Sequence, residues 1–271
     1  MDKDLTVIIT LYETPLEKLK LLNQYKNYKI LIFDQSKKNN LSNISKNLYG
    51  QFDYFHSKNI GLSKSTNFLI SKVKTKYFLF TQADIIIENF SIINLIKAMD
   101  EKEDIIISGP IFKNQNTKIT DLDNKYEIKD ELNASILMCN TQKVKKIGFF
   151  DEDFFLYWED KDLMQRIKKT NYKMIQVFNA YAIHQGEQST LDNMKIKFIR
   201  RINFKYGEFL FDYKHKKLRK IKVFRQLLQN IILFPLNVIT FNKNKAVENI
   251  SQLIGISKFI KILFFKTIKD K

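Results

Sequence analysis

The sequence predicts an α/β fold, a mostly parallel sheet flanked by helices, followed by a basic helical extension. Three observations carry this. Strand-like and helix-like segments alternate over residues 1–190. The strand-like runs are apolar nearly throughout, as in parallel strands covered on both faces. Positive charge is concentrated after residue 190, where apolar residues recur at helical spacing.

The first strand is the β-branched run Leu5 to Thr10, and Pro15 stands where a following helix would begin. A second apolar run, Lys29 to Phe33, is ended by Asp34, and helical patterns follow at 41–48 and 62–73. The third run, Tyr77 to Phe80, closes near Asp84; a fourth covers 104–108, and another covers 174–178. In such sheets ligands bind beyond the carboxyl ends of the strands. Thr10, Tyr12, Glu13, Asp34, Gln82 and Asp84 therefore form the candidate ligand rim.

Composition narrows the function classes. With 271 residues, 44% hydrophobic and 13% aromatic, the chain has ample material for a core, which excludes a disordered chain or a small disulfide-stapled module. Cys139 is the single cysteine and cannot form an internal bridge. The N-terminus shows no basic segment leading into an apolar core, and no stretch reaches the roughly 18–20 apolar residues that span a bilayer. The nearest, 231–241, is interrupted by Pro235 and Asn237, so a cytoplasmic chain is expected. The dinucleotide glycine fingerprint, the P-loop, the nucleophile elbow and the Cys-x-x-Cys pair are all missing. Three histidines cannot build a His-rich zinc site, so a metal here would be a hard cation held by oxygen with one imidazole.

Four segments carry chemistry. Asp34 reads either as a turn or cap residue or as an acceptor for the imide N–H of a pyrimidine base. The polar stretch from Asn59 through Gly61 to Asn67 opens a helix and suits phosphate or sugar groups as well as simple capping. Asp84, at a strand end, suits Mg²⁺ held with diphosphate oxygens and waters. Between Gly148 and Arg166, six acidic and six aromatic residues share nineteen positions; this density would wall a pocket and raise a carboxylate's pKa by desolvation. Asp160 and Asp162 there precede an amphipathic helical pattern, where one of them would act as N-cap. His184, followed by Gly186, Gln188 and Ser189, reads as a packing histidine or as a ligand for metal or phosphate.

Taken together, TVIITLYE, LIFDQS, NIGLSKSTN, TQADI, GFFDEDFFLYWEDKDLMQRI and HQGEQS resemble, in order, the motifs of family 2 glycosyltransferases, closest to bacterial rhamnosyltransferase-like members that build surface polysaccharides. The resemblance covers residues 5–190 and implies a GT-A fold, a Rossmann-like mixed, mostly parallel sheet flanked by helices, and an inverting hexosyl transfer. By the same resemblance, Thr10, Tyr12, Glu13 and Asp34 would hold the nucleotide. Asn59, Gly61, Asn67 and Gln82 would line the donor site near the diphosphate and sugar. Asp84, with His184, would bind Mg²⁺ or Mn²⁺, and Asp160, with Glu159 alongside, would be the catalytic base. Implied partners are a dTDP- or UDP-linked sugar donor and a glycan or lipid-linked acceptor. The sequence departs from the family's usual Asp-x-Asp at Gln82, which stands in place of the first carboxylate.

The charge divides the chain. Residues 1–190 carry 27 basic and 24 acidic side chains, against 19 and 5 in residues 191–271. A boundary is expected near residue 195, with a catalytic domain over 1–195 and a basic amphipathic helical region over 196–271. In that region Ile199, Ile202, Tyr206, Phe209 and Tyr213 fall three or four apart, as do Leu253, Ile256, Phe259, Ile260 and Leu263. Such a surface suits helices packed on the body, or attachment to an anionic membrane at its cytosolic face. No nucleic-acid motif accompanies the charge, which argues against nucleic acid as partner. The alternative reading is a non-catalytic nucleotide- or nucleic-acid-binding protein using the basic tail.

Overall fold

Leu, Ile, Val and Phe in unbroken runs fill both faces of a pleated sheet, and they build β1 (Leu5–Leu11), β2 (Lys29–Asp34) and β4 (Tyr77–Thr81), each buried over most of its length. The computed structural model describes residues 4–113, 125–186, 189–190 and 193–269, with side chains to Phe264. Gln188 lies outside the described residues. α1 (Leu16–Leu21) follows β1 with Pro15 at its N-cap, α2 (Leu41–Asn47) follows β2, and β3 (Phe52–His56) leads to α3 (Leu62–Lys72). After β4 come β5 (Ile85–Ile87), α4 (Asn89–Asp100), β6 (Ile105–Phe112), β7 (Tyr126–Lys129), β8 (Ile136–Asn140), α5 (Thr141–Ile147), α6 (Glu159–Ile167) and β9 (Lys173–His184).

The strand order is β3-β2-β1-β4-β8-β6-β9-β5, with β7 also on β9. β1 to β4 are mutually parallel; β8 inserts antiparallel between β4 and β6, and β6 pairs parallel with β9. Six of the nine described strands therefore point one way, which bears out a mostly parallel mixed sheet. Two apolar clusters cover its faces. Leu22, Tyr25, Ile92 and Leu95 are on one side, and Leu69, Phe149, Leu163 and Ile167 are on the other.

Two compact units result: residues 1–151 with 163–191, and residues 152–162 with 192–271. The second contains α7 (Met194–Lys214), α8 (Lys220–Ile239) and α9 (Lys243–Lys269). α8 continues through Pro235, whose ring forfeits a single backbone bond of the helix. Phe154, Tyr206, Phe209, Ile256 and Phe259 form the core of this unit. At Gly255 of α9, an added Cβ would come within 2.7 Å of the Ile202 carbonyl of α7. Gly255→Ala is expected to lower stability by about 1–3 kcal/mol through overpacking, read as a fall in urea midpoint.

Candidate active site

Strand register brings distant residues to one edge. Leu11 of β1 lies opposite Asp34 of β2, Asp34 lies opposite His56 of β3, and Ile9 is level with Thr81 of β4. The loops leaving these four parallel strands emerge together, where a ligand crevice is expected. They are tied to one another. The Glu13 N–H donates to Ser36 Oγ at 2.7 Å, the Lys37 N–H donates to Glu13 Oε1 at 2.8 Å, and the Gln35 N–H donates to the Leu11 carbonyl. Gln35 in turn accepts from the Ile60 N–H at 2.8 Å and donates to Ser65 Oγ at 3.1 Å, linking the second loop to α3.

Asp34 is fully buried. Its Oδ1 accepts from the Ser36 N–H at 2.9 Å, and its Oδ2 accepts from the Tyr54 hydroxyl at 2.7 Å and from Asn40 Nδ2 at 2.9 Å. Burial and this carboxylate push the Tyr54 phenol well above its ordinary pKa. The turn role is therefore present, and three of a carboxylate's roughly four acceptor positions are used by it. Asn59 Oδ1 accepts from the Gly61 N–H at 3.0 Å, and Gly61, at φ +91°, starts α3 in a conformation that suits glycine. Asn67 faces the Phe150 backbone, donating to its carbonyl at 2.8 Å and accepting from its N–H at 3.2 Å. Thr10 and Tyr12 are half-buried at the end of β1, and Gln82 is half-buried after β4.

Asp84 and His184, a hundred positions apart, meet because β5 and β9 pair with Ile85 opposite His184. The Gln185 N–H also donates to the Asp84 carbonyl. His184 Nε2 lies 3.3 Å from the buried Asp84 Oδ2, yet it is not aligned to hydrogen-bond to it. A ring nitrogen and a carboxylate oxygen this close without a hydrogen bond between them fit two donors to one cation. An oxygen and an imidazole suit Mn²⁺, and with more waters Mg²⁺. Among the described residues no three His, Cys, Asp or Glu side chains cluster, so the remaining ligands would be phosphate oxygens and waters.

The second unit holds the acidic motif. α6 begins at Glu159, so Glu159, Asp160 and Asp162 sit inside its first turn rather than before it, where the helix dipole favours negative charge. Tyr157 and Trp158, just ahead, both have positive φ, at 70° and 73°. Two bulky residues in this region store strain of about 1–3 kcal/mol each. α7 holds them: Trp158 packs on Phe204 and Phe211, and Gly207 leaves no room for a Cβ, which would lie 2.8 Å from Trp158 Cδ1 and 2.9 Å from the Tyr157 carbonyl. Asp162 is buried against His215, whose Nε2 donates to Oδ1 at 2.9 Å. His215→Ala is expected to cost about 3–5 kcal/mol, since it strips a buried carboxylate of its imidazole, measured by chemical unfolding.

Glu159 is 6% exposed, and its Oε2 is buried without a hydrogen-bond partner. Burial, then the neighbouring Asp160 carboxylate, raises its pKa from 4.5 to about 8. The folded protein keeps this proton across a range in which the unfolded chain releases it. The Glu159 contribution to stability is therefore full below about pH 4.5 and is lost as pH rises to about 8. Glu159→Gln should flatten that decline, by an amount on the order of a few kcal/mol, in denaturation series from pH 5 to 8.5.

Sequence reasoning missed Gln35, Ser36, Tyr54, Ser135 and His215. Gln35 and Ser36 directly follow a strand and could have been found by the criterion that selected Asp34. Tyr54 from β3, and Ser135, whose Oγ is 3.5 Å from His184 Nδ1, reach the rim through pairings that local spacing does not encode. His215 acts through a partner 53 positions away.

The chain matches the glycosyl transferase family 2 model over residues 16–228. It belongs to that family. A curated relative, an uncharacterized glycosyltransferase of Rickettsia typhi, is 25% identical over 183 residues, covering 61% of this chain and 55% of the relative, so the chain spans about half the relative's length. Among solved structures, a mannosyltransferase of Pyrobaculum calidifontis in complex with GDP-Man and Mn²⁺ aligns over 95% of this chain and 87% of its own, with TM-score 0.59 and 11% identity. GalNAc-T7 with UDP, GalNAc and Mn²⁺ aligns over 77% and 50%, with TM-score 0.57 and 11% identity. Residues 1–349 of S. aureus TarS align over 94% and 91%, with TM-score 0.51 and 13% identity. These likenesses show the GT-A fold.

Proposed function

We propose that this family 2 glycosyltransferase is an inverting enzyme that moves a sugar, rhamnose or another hexose, from a dTDP- or UDP-linked donor to a hydroxyl of a lipid-linked or growing surface glycan. The observation that carries the reading is the Asp84–His184 pair, 3.3 Å apart beyond the strand ends of a family 2 chain. Neighbours of the same fold with Mn²⁺ and UDP or GDP-Man support it. Thr10, Tyr12, Glu13 and Asp34 bind the nucleoside; Asn59, Gly61, Asn67 and Gln82 face the diphosphate and sugar; Asp84 and His184 hold Mg²⁺ or Mn²⁺. A divalent cation there supplies positive charge for the departing diphosphate. Asp160 accepts the acceptor hydroxyl's proton as that oxygen bonds to the anomeric carbon. The bond from that carbon to the diphosphate oxygen breaks on the opposite face, which inverts the centre. Glu159, protonated at neutral pH, leaves Asp160 as the base. The basic region over 191–271 holds the enzyme at the anionic cytosolic leaflet, where lipid-linked acceptors reside.

Thermal unfolding against UDP, dTDP, GDP and CDP, each with and without Mn²⁺, tests the donor site. A ligand at a hundred times its dissociation constant stabilises by about 2.7 kcal/mol. One diphosphate shifting the melting temperature, and more so with Mn²⁺, is the expected result. No shift with any of the four removes the transferase reading.

A further inference from the structure

Helix α8 packs inward partly through amides and leaves a long apolar stripe exposed. The side turned to the rest of the unit carries amides beside buried Val223 and half-buried Leu227. Buried Asn230 donates to Gln252 Oε1 at 3.2 Å and accepts from Asn249 Nδ2 at 2.8 Å, and Asn237 donates to Asn249 Oδ1 at 2.9 Å. A cleft between the helices continues this polar lining with Gln226 and Gln229. The other side is an exposed apolar stripe of Ile221, Phe224, Leu228, Ile231, Ile232 and Ile239, with Ile221 83% and Ile239 72% exposed. Phe241, just past the helix, is 85% exposed. A helix solvated by water buries its apolar stripe and exposes its amides. Amide glue between helices and aliphatic side chains outward is the pattern of helices solvated by lipid.

The charges select the occupant. Residues 213–247 contain nine Lys and Arg and no Asp or Glu. Lys222 is tied to Glu208 and Asp212 within the unit. Lys216 and Lys217 precede the helix, Arg219 and Lys220 lie at its start, Arg225 within it, and Lys243 and Lys245 beyond its end. A second copy docked through this face would set two uncompensated cationic belts against each other. An anionic lipid surface neutralises the belt and takes the stripe into its acyl boundary. No helix among the described residues is long and apolar enough to cross a membrane; an amphipathic helix seated on a bilayer would lie in the plane of the interface.

We propose that α8 is the membrane-docking helix of this protein, seated on anionic bilayers with the Ile221–Ile239 stripe among the acyl chains and the flanking Lys and Arg at the headgroups. The proposal rests on the membrane reading given above and names the element responsible. The full chain is tested by co-sedimentation with phosphatidylcholine vesicles, alone or mixed with phosphatidylglycerol, beside the variant Phe224→Gln/Ile231→Gln/Ile239→Gln. All three positions are exposed, so the fold, checked by circular dichroism, should persist. The wild type should bind the anionic vesicles, and the variant should bind about tenfold or more weakly while keeping its thermal response to nucleotide. Ile232→Cys carrying a nitrobenzoxadiazole label should shift its emission to the blue on the same vesicles; Cys139, fully buried, stays unlabelled. If the variant binds as the wild type does, α8 is not the docking element, although the membrane reading stands. If the wild type binds no vesicle, both are overturned. If light scattering shows a wild-type dimer that the variant breaks, the face belongs to a second copy and the lipid proposal is overturned.

Discussion

Asp160→Asn should lower kcat by about a thousandfold, within the range that positioned general bases contribute, while the thermal shift with donor diphosphate stays at the wild-type value. The substitution keeps the size of the side chain and its capacity to accept the Lys161 N–H, now bonded to Asp160 Oδ1 at 2.8 Å, but it removes the basic oxygen. Glu159 cannot take over near pH 7, because burial and the Asp160 charge hold its proton up to about pH 8. Retention of more than a tenth of the wild-type kcat would falsify the base assignment. Gly207→Ala supplies a companion result. Pressing on Trp158 and the Tyr157 carbonyl, it should lower kcat together with stability, since the strained pair it displaces directly precedes Glu159 and Asp160.

The second large effect is expected at Asp84. Asp84→Asn should abolish the Mn²⁺-dependent part of nucleotide stabilisation and leave the metal-free part intact. Asn is chosen over Ala because Asp84 is fully buried, and a cavity would confuse folding with binding. A neutral amide is a far poorer ligand for a hard cation than a carboxylate. His184→Ala should raise the Mn²⁺ concentration at half-maximal shift without eliminating the response, because the imidazole is one of two protein donors. Undiminished Mn²⁺ dependence in Asp84→Asn would make Asp84 a turn residue that merely accepts the β9 edge.

How legible the site was follows from how local each interaction is. Asp34, Asp84 and the Thr10–Glu13 turn were readable because each follows a continuous apolar run, and strand ends in parallel sheets face the ligand crevice. β3, β5, β7 and β8 were not read. β3 is only partly buried, β5 has three residues and β7 is an edge strand with two exposed positions; each is too short or too mixed to show a period. β8 is an apolar five-residue run whose antiparallel insertion between β4 and β6 is a property of the sheet and not of the segment. By sequence Asp34 reads first as a turn or cap residue and only then as a ligand; the Tyr54 and Asn40 bonds that occupy Oδ2 come from residues 20 and 6 positions away.

The sequence by itself determined the elements with strong local signals: the apolar strands, the helices with three- and four-residue spacing, the family motifs in order, and the excess of cations after residue 190. Tertiary structure alone decided which charged and polar groups face one another. It set His184 beside Asp84 through β5–β9 register, buried Glu159 so that it keeps its proton, and closed His215 on Asp162. It also turned Asn230 and Asn237 of α8 toward α9 and left a stripe of its aliphatic residues exposed. The physical reason is that periodicity records which residues share a face, whereas the identity of the opposing surface, protein, water or lipid, depends on contacts between segments far apart in the chain.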